Sequence, residues 1–423
     1  MKNCSSRPTV TLVGASVRAA AQSAKRANLK VVGFDLFGDS DCRAACDQFV
    51  LITPQEQPGF CDPLPRHDAV LSVANSLLLF VGGFSRDVCS LSSTLSPVFQ
   101  STVLHSTVPQ SAAGSKQQDP HFLERLASAV GMKFPRTLPS DDASRRHVSE
   151  RITSTGERWL CKDVSSSGGI HVRWVSDQQS TPLRQHSNSI CYQQWIAGKR
   201  FGASYLSDGN ESVMLGVCRS LHTRKHPFPF VYGGSLGPVS LTRQQTETLG
   251  RLGDTLVAMT ALTGLFGIDV IVDAQENLWL LEINPRWTAS SELIERDLIR
   301  RSILQQHESL IGSACKCQVP KICGEWRSPS LAELKRRLSH NNQVINPFVK
   351  KVVFARETGT LDRDALSQAE TNGITCYDLP DHGAPITKGH PLCSLIGSTQ
   401  SLCQGTSNMR LRNSVRLAQA AIR

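Results

Sequence analysis

Apolar and polar positions fall into blocks that read as elements along the chain. Residues Thr9 to Gly14, TVTLVG, form an unbroken apolar run that ends in the turn Gly14-Ala15-Ser16. A helix-forming stretch from Val17 to Asn28 follows, then a second apolar run from Val31 to Phe34, closed by Asp35. Strand, helix and strand in succession predict a βαβ unit and a parallel α/β layer. The turn reads G-A-S-V-R-A and lacks the second and third glycines that admit a pyrophosphate. A Rossmann-like shell without a dinucleotide is therefore expected. Residues 85–115 are rich in Ser, Thr and Gly, the composition of loops and a domain edge. An amphipathic helix then starts at Asp119-Pro120, where proline's missing N–H costs nothing. It runs through Phe122, Leu123, Leu126 and Val130 to Gly131. Strand signals fill 159–241, a helix spans Arg243 to about Thr263, and a hairpin runs from Phe266 to Pro285.

The hairpin carries the strongest chemistry. With Ala274 to Asn277 as its turn, Asp273 faces Leu278 and Asp269 lies opposite Glu282. Asn284 then shares their side, while Ile268, Val270, Val272, Trp279, Leu281 and Ile283 form the apolar face. Like charges directly opposed destabilise a sheet, so a cation is expected between them. Oxygen ligands from Asp, Glu and Asn suit Mg²⁺ completed by phosphate oxygens and water, with Arg286 adding charge. The bland alternative is a solvated acidic face with Asn-Pro-Arg as a strand stop.

Three weaker signals precede it. Lys162 leads into Ser165, Ser166, Ser167, Gly168 and Gly169, a turn able to fold N–H groups over phosphate or simply to reverse the chain. It is not a Walker A loop, since that motif occurs nowhere. Tyr192 to Lys199 reads as a short strand ending in a glycine turn. Phe230 to Pro238 reads as a mobile glycine loop near Arg219, His222, Arg224, Lys225 and His226, fitted either to grip an anion or to lie in solvent.

Composition narrows the classes. The 423 residues suit two or three domains, and 40% apolar with 19% charged residues is globular. The formal net charge of +10 favours anionic small molecules, but the basic residues are scattered rather than striped, so no nucleic-acid partner is expected. The longest apolar stretch, Ala69 to Phe84, is too broken to span a bilayer, and no membrane association is expected. The N-terminus shows no apolar h-region and the 14 Cys follow no disulfide framework, so a cytoplasmic chain with reduced thiols is expected. Neither Cys42/Cys46 nor Cys315/Cys317/Cys323 has zinc-ribbon spacing.

In order, Lys162, the Ser165–Gly169 turn, a hinge at Gln193, Gln194, Trp195 and Ile196, then Asp269 and Glu282-Ile-Asn284-Pro-Arg286, resemble the ATP-grasp superfamily of carboxylate–amine ligases. The resemblance covers about residues 9–310. It implies an α/β and α+β multidomain chain: a Rossmann-like domain at 1–115, an ATP-grasp domain at 116–320 and a small β-rich domain at 321–423. Within the middle domain the lid would occupy about 150–198 and the metal-binding lobe about 199–310. It also implies ATP held by Lys162, Ser165 to Gly169 and Gln193 to Ile196. Mg²⁺ or Mn²⁺ would sit on Asp269, Glu282 and Asn284, and Lys162 and Arg286 would act catalytically on the transferred phosphoryl group. The implied reaction joins a small-molecule carboxylate to an amine through an acyl phosphate. Two alternatives are a biotin-carboxylase-like enzyme and a non-catalytic ATP-binding module. The chain departs from the pattern at the hinge, where glutamines replace a ribose-binding Glu, and in its second phosphate lysine, for which Lys116 is the one candidate. Glu282 to Glu292 most resembles uncharacterised bacterial members associated with tetrahydromethanopterin- or methanofuran-type one-carbon cofactor synthesis. A homodimer is the default assembly.

Overall fold

The computed structural model describes residues 7, 9–52, 77–82, 119–163, 168–170, 172–175, 190–223, 229–297, 303, 331–340, 347–370, 373–399 and 407–423. Ser165, Ser166, Ser167, Lys116, Arg224, Lys225, His226 and the Cys315/Cys317/Cys323 group lie outside them.

The predicted βαβ unit forms. Strands β1 (Thr9–Gly14), β2 (Lys30–Asp35), β3 (Gln48–Leu51) and β4 (Leu77–Phe80) make a parallel sheet in the order β3-β2-β1-β4. Helix α1 (Arg18–Arg26) buries Ala20, Ala21 and Ala24 against Val10, Leu12 and Val31. Small residues on its inner face let the helix lie close to the sheet. Asp35 does not wait for a ribose: its oxygens accept from the backbone N–H groups of Val17, Phe37 and Gly38 at 2.7–2.8 Å. Helix α2 (Ser40–Ala45) follows, and the thiols of Cys42 and Cys46 are free.

Helix α3 (Pro120–Ala129) starts as predicted, with Asp119 as its N-cap. A four-stranded antiparallel lid sheet comes next, in the order β5 (Thr137–Pro139), β8 (Ile190–Gln194), β6 (Trp159–Asp163) and β7 (Val172–Trp174). Helix α4 (Asp142–Thr155) covers one face through Val148 on Trp159, Cys161 and Tyr192. Period two then puts Leu160, Lys162 and Gln193 on the uncovered face.

Strands β9 (Lys199–Asp208), β10 (Ser212–His222), β11 (Tyr232–Gly237), β12 (Thr263–Val272) and β13 (Leu278–Asn284) build the large sheet. Three later strands, β14 (Phe348–Phe354), β16 (Ile374–Tyr377) and β18 (Pro391–Ser398), extend it, giving the order β13-β12-β9-β10-β11-β14-β18-β16. The short pair β15 (Gly359–Thr360) and β17 (Pro385–Ile386) lies outside it. Helices α3 and α5 (Arg243–Thr260) cover one face with Phe122, Leu126, Leu249, Leu252 and Leu256 over Phe266, Ile268 and Val270. On the opposite face Leu293 and Ile294 of α6 (Ala289–Asp297) and Leu334 of α7 (Leu331–His340) join the core of the first layer. Helices α8 (Arg363–Ser367) and α9 (Ser407–Ala420) pack at the C-terminal end. No helix among the described residues is long and apolar enough to cross a membrane.

One expectation is corrected. Phe230 to Pro238 is not a mobile glycine loop, because Tyr232–Gly237 is an interior strand of the large sheet. Its glycines serve packing: a Cβ on Gly234 would lie 2.0 Å from the Lys350 carbonyl, and one on Gly237 2.4 Å from the Cys218 sulfur.

The first layer is fastened to the large sheet by buried charge. Arg18, 1% exposed, donates from Nη1 to Glu292 on α6 at 2.5 Å and from Nε to Asp378 after β16 at 2.8 Å. Lys350 on β14 donates to Glu292 at 2.8 Å. Burial alone would lower the Arg18 pKa, but Glu292 and Asp378 hold it well above the ordinary guanidinium value. Removing one partner of such a group leaves buried charge uncompensated. Arg18→Ala should cost about 3–5 kcal/mol, seen as a lower denaturant midpoint and partly restored by adding Glu292→Gln. A loss no larger than that of the surface variant Arg243→Ala, whose side chain is 93% exposed, would contradict this account.

Candidate active site

The site lies where the uncovered lid face meets one end of the large sheet. Asp269 pairs with Glu282 across β12 and β13, as expected, but the route differs from the sequence reading. The turn is shifted by one residue, so Val272 rather than Asp273 faces Leu278, and a bulge beyond the Leu280–Val270 pair restores the opposition. The core of β13 is therefore Leu278, Leu280 and Ile283, while Trp279 and Leu281 are only half-buried. Asp273 instead closes the hairpin by accepting from the Asn277 backbone and the Trp279 indole at 2.9 and 2.8 Å. A bulge re-aims side chains locally, and sequence alternation alone cannot place it.

Neighbouring strands make room for the carboxylates. Gly202 on β9 lies opposite Asp269, and a Cβ there would stand 3.1 Å from Asp269 Oδ1. Asn284 donates from Nδ2 to Asp269 Oδ2 at 3.1 Å and accepts from Arg286 Nη2 at 2.8 Å. Lys162 crosses from the lid and donates to Glu282 Oε2 at 3.1 Å. The pair is electrically split. Burial, reinforced by Glu282, pushes Asp269 well above the ordinary carboxylate range, while Lys162 holds Glu282 below it.

Two contributors were missed or underweighted in the sequence. Arg200 shares the carboxylates' face, two residues before Gly202. Burial lowers its pKa, while Asp269 and Glu282 oppose that effect. His222, noted only as a flank of the glycine loop, is pushed down to about 4 by burial and then by Arg200. Only the pairing of β9 beside β12 reveals Arg200, and no local motif marks it.

Of the lid turn, Gly168 and Gly169 have φ of +70° and +76°, and the Gly168 carbonyl accepts from Tyr232 N at 3.0 Å. Gly169 presses so closely on Phe230 that a Cβ would fall 2.1 Å from its carbonyl oxygen. At the hinge, Gln193 faces the site but donates to Thr137 Oγ1 at 3.1 Å, and the register puts Gln194 on the opposite face. Trp195 meets Trp174 edge-on at 5.6 Å, Trp174 meets Phe230 at 5.1 Å, and Arg158 lies over both indoles. Among the described residues no hydrogen-bond or ring contact identifies a role for Ile196.

The donor set fits a hard divalent cation at Asp269 and Glu282. Asn284 turns its oxygen toward Arg286 here, so it would join the ligands only after its amide rotates. Among the described residues no group of three or more His, Cys, Asp or Glu is placed to hold a metal. Around the two carboxylates stand three cations, Lys162, Arg200 and Arg286, and this positive excess suits phosphates bound with a metal.

A sequence profile of the ATP-grasp domain matches residues 120–290, and that stretch is an ATP-grasp domain. No curated protein matches the sequence at a significant level. Among solved structures the fold is similar to N5-carboxyaminoimidazole synthase from Aspergillus clavatus, crystallised with ADP and 5-aminoimidazole ribonucleotide. That match has a TM-score of 0.63 at 13% identity over 98% of this chain and 99% of that one. The ADP complex of N5-carboxyaminoimidazole synthetase from Staphylococcus aureus gives 0.62 at 13%, covering 98% of each chain. The biotin carboxylase domain of 2-oxoglutarate carboxylase from Hydrogenobacter thermophilus, with MgADP, ADP and bicarbonate, gives 0.61 at 13% over 92% and 85%. At these identities the likeness establishes the ATP-grasp fold across the chain.

The raised Asp269 pKa fixes a sign. The folded chain holds this proton more tightly than an unfolded carboxyl near 3.8, so its stabilising effect is complete below that value and disappears as pH rises through the folded one. Asp269→Asn should therefore flatten the fall in ligand-free melting temperature between about pH 4 and 9. Parallel curves for the two proteins would refute the assignment.

Proposed function

We propose that the protein is an ATP- and Mg²⁺-dependent ligase that joins a carboxylate to an amine, with release of ADP and phosphate. The observation that carries this reading is the Asp269–Glu282 opposition, bridged from the lid by Lys162 and flanked by Asn284 and Arg286. Held by Asp269 and Glu282, with Asn284 after its rotation, Mg²⁺ would neutralise phosphate oxygens. Lys162 and Arg286 act on the same phosphates from two sides, and Arg200 adds charge from β9. The Ser165–Gly169 turn and the Gln193–Ile196 hinge are the proposed nucleotide contacts. In the reaction a carboxylate oxygen attacks the γ-phosphorus, ADP leaves, and the amine displaces phosphate from the acyl phosphate with loss of one proton. The chain's work is alignment and charge neutralisation, and lid closure keeps water from the acyl phosphate.

The Hydrogenobacter structure, which contains both bicarbonate and MgADP, supports a second reading in which bicarbonate is the carboxylate. A place in cofactor synthesis rests only on the likeness of the Glu282–Glu292 segment to bacterial relatives.

Mg²⁺-ATP should raise the melting temperature of the wild type and not of Glu282→Ala. ADP release should require an acid and an amine together and should fall about 10²–10³-fold in Lys162→Met. Bicarbonate-dependent turnover without an organic acid would select the second reading. A wild type indifferent to Mg²⁺-ATP would remove both.

A further inference from the structure

The uncovered face of the lid carries a row of side chains that the phosphate chemistry uses only at one end. Strand β6 places Lys162 on that face and, two residues back, Leu160. The same alternation puts Arg158, immediately before β6, on the same side. The Arg158 carbonyl accepts from the Trp195 N–H at 2.9 Å, which extends the Trp159–Gln194 register by one pair and sets Arg158 beside Trp195. Trp174 pairs with Leu160 from β7 and joins them. Lys162 and Arg158 are thus the two ends of one row, about 13 Å apart at the rise of an extended strand.

Arg158 is the unusual member of the row. Its guanidinium carbon lies 3.7 Å from the Trp174 ring centroid and 4.5 Å from that of Trp195, and the two indoles are inclined at 64°. Among the described residues no carboxylate pairs with it. Glu157, its neighbour in the chain, accepts instead from Arg151 and from the Trp159 indole. The Arg158 side chain is exposed and both indoles are half-buried, so solvent reaches the surface they form.

A simple fastening between strands would not need to reach the phosphate groups, yet this surface meets them by two routes. Along the lid the route is Lys162, Leu160 and Arg158. From the large sheet, Arg200 shares a face with the two site carboxylates and lies 5.0 Å over the Phe230 ring. Phe230 in turn meets Trp174 edge-on at 5.1 Å. Both routes end on the same indole.

The span selects the ligand chemistry. A nucleoside triphosphate with its terminal phosphates at Lys162 would run along this row and bring its base to Arg158. Two indoles and a guanidinium plane bind the face of a ring, and stacking is indifferent to what the sugar carries. Between the two ends the row offers Leu160, which has no polar group, and Gln193, whose amide is given to Thr137. No carboxylate stands there to accept a sugar hydroxyl. Resting on the ligase reading above, we propose that Arg158, with Trp174 and Trp195, sets the nucleotide selectivity: the base is chosen by stacking and the ribose hydroxyls go unread, so that a 2′-deoxyribonucleotide serves as well as a ribonucleotide.

Mg²⁺-ATP, Mg²⁺-dATP and Mg²⁺-tripolyphosphate are the probes, with tryptophan fluorescence and melting temperature as readouts. ATP and dATP should bind the wild type equally and quench its fluorescence. Tripolyphosphate, which has no base, should bind about tenfold more weakly and leave the indoles unquenched. Arg158→Gln changes an exposed side chain and leaves the backbone bond to Trp195 in place. It should weaken both nucleotides about tenfold and leave tripolyphosphate unchanged. Trp195→Leu should act alike, and Trp195→Phe should restore most of the nucleotide binding. Unchanged nucleotide binding in Arg158→Gln, an equal loss for tripolyphosphate, or a preference of about tenfold or more for ATP over dATP would overturn the proposal. The assay separates this site from the ligase reading. Arg158-dependent nucleotide binding without ADP release from any acid–amine pair removes the ligase and keeps the site. ADP release with an unchanged KM for ATP in Arg158→Gln removes the site and keeps the ligase.

Discussion

Two carboxylates facing each other across an antiparallel pair are the constraint on which the rest of the site depends. Side by side in a half-buried setting, Asp269 and Glu282 cannot both ionise cheaply, and the strands tolerate them by holding a proton on Asp269 and positive charge nearby. Without a bound ligand the chain supplies it from three elements: Lys162 from the lid, Arg286 beyond β13, and Arg200 from β9. The lid is thus tied to the sheet by the same lysine that phosphates would claim. On the proposed reading, a metal with phosphates would replace both halves of this arrangement at once, cation for lysine at Glu282 and anion for carboxylate at Lys162. The ligand-free contact therefore prefigures the bound one rather than blocking it.

The sequence showed much of this and missed the rest for identifiable reasons. The βαβ unit, α3 with its Asp119 cap, and the hairpin were legible because each depends on local periodicity and punctuation. The Asp269–Glu282 pairing was inferred from a register that was one residue wrong at the turn, and a bulge in β13 returned the right answer. Alternation would have needed Trp279 and Leu281 in the core, where the structure has Leu278 and Leu280. Arg200 and the strand character of Tyr232–Gly237 were hidden because both follow from non-local pairing, to β12 in one case and to β14 in the other. A glycine that looks permissive in a sequence is here a glycine that a neighbouring backbone requires.

The first layer shows a related economy. Its turn lacks the glycines of a dinucleotide site, and the structure shows what stands there instead. Arg18, at the start of α1, turns into the protein to meet Glu292 and Asp378, and both Arg18 and Arg296 lie over the Tyr377 ring. Asp35, the residue type that elsewhere holds a ribose, spends its oxygens on the turn's own backbone. The layer has become a wall and a fastening, with Gly82 after β4 set against Arg286.

The hinge departs from the family pattern in a way the geometry makes intelligible. A glutamate reaching a ribose needs a side chain free to turn into the site, yet Gln193 is already held by Thr137 and Gln194 belongs to the helix-covered face. What the hinge offers instead is Trp195 beside Trp174, with Arg158 across both rings. On the proposed reading, these rings and the guanidinium plane would hold a flat, electron-rich ring by stacking, whose strength depends little on a hydroxyl contact. Gly169 seats the lid turn on Phe230, and Phe230 packs on Trp174. Gly169 at the described end of the lid turn and the aromatic residues beside the hinge are therefore linked through Phe230.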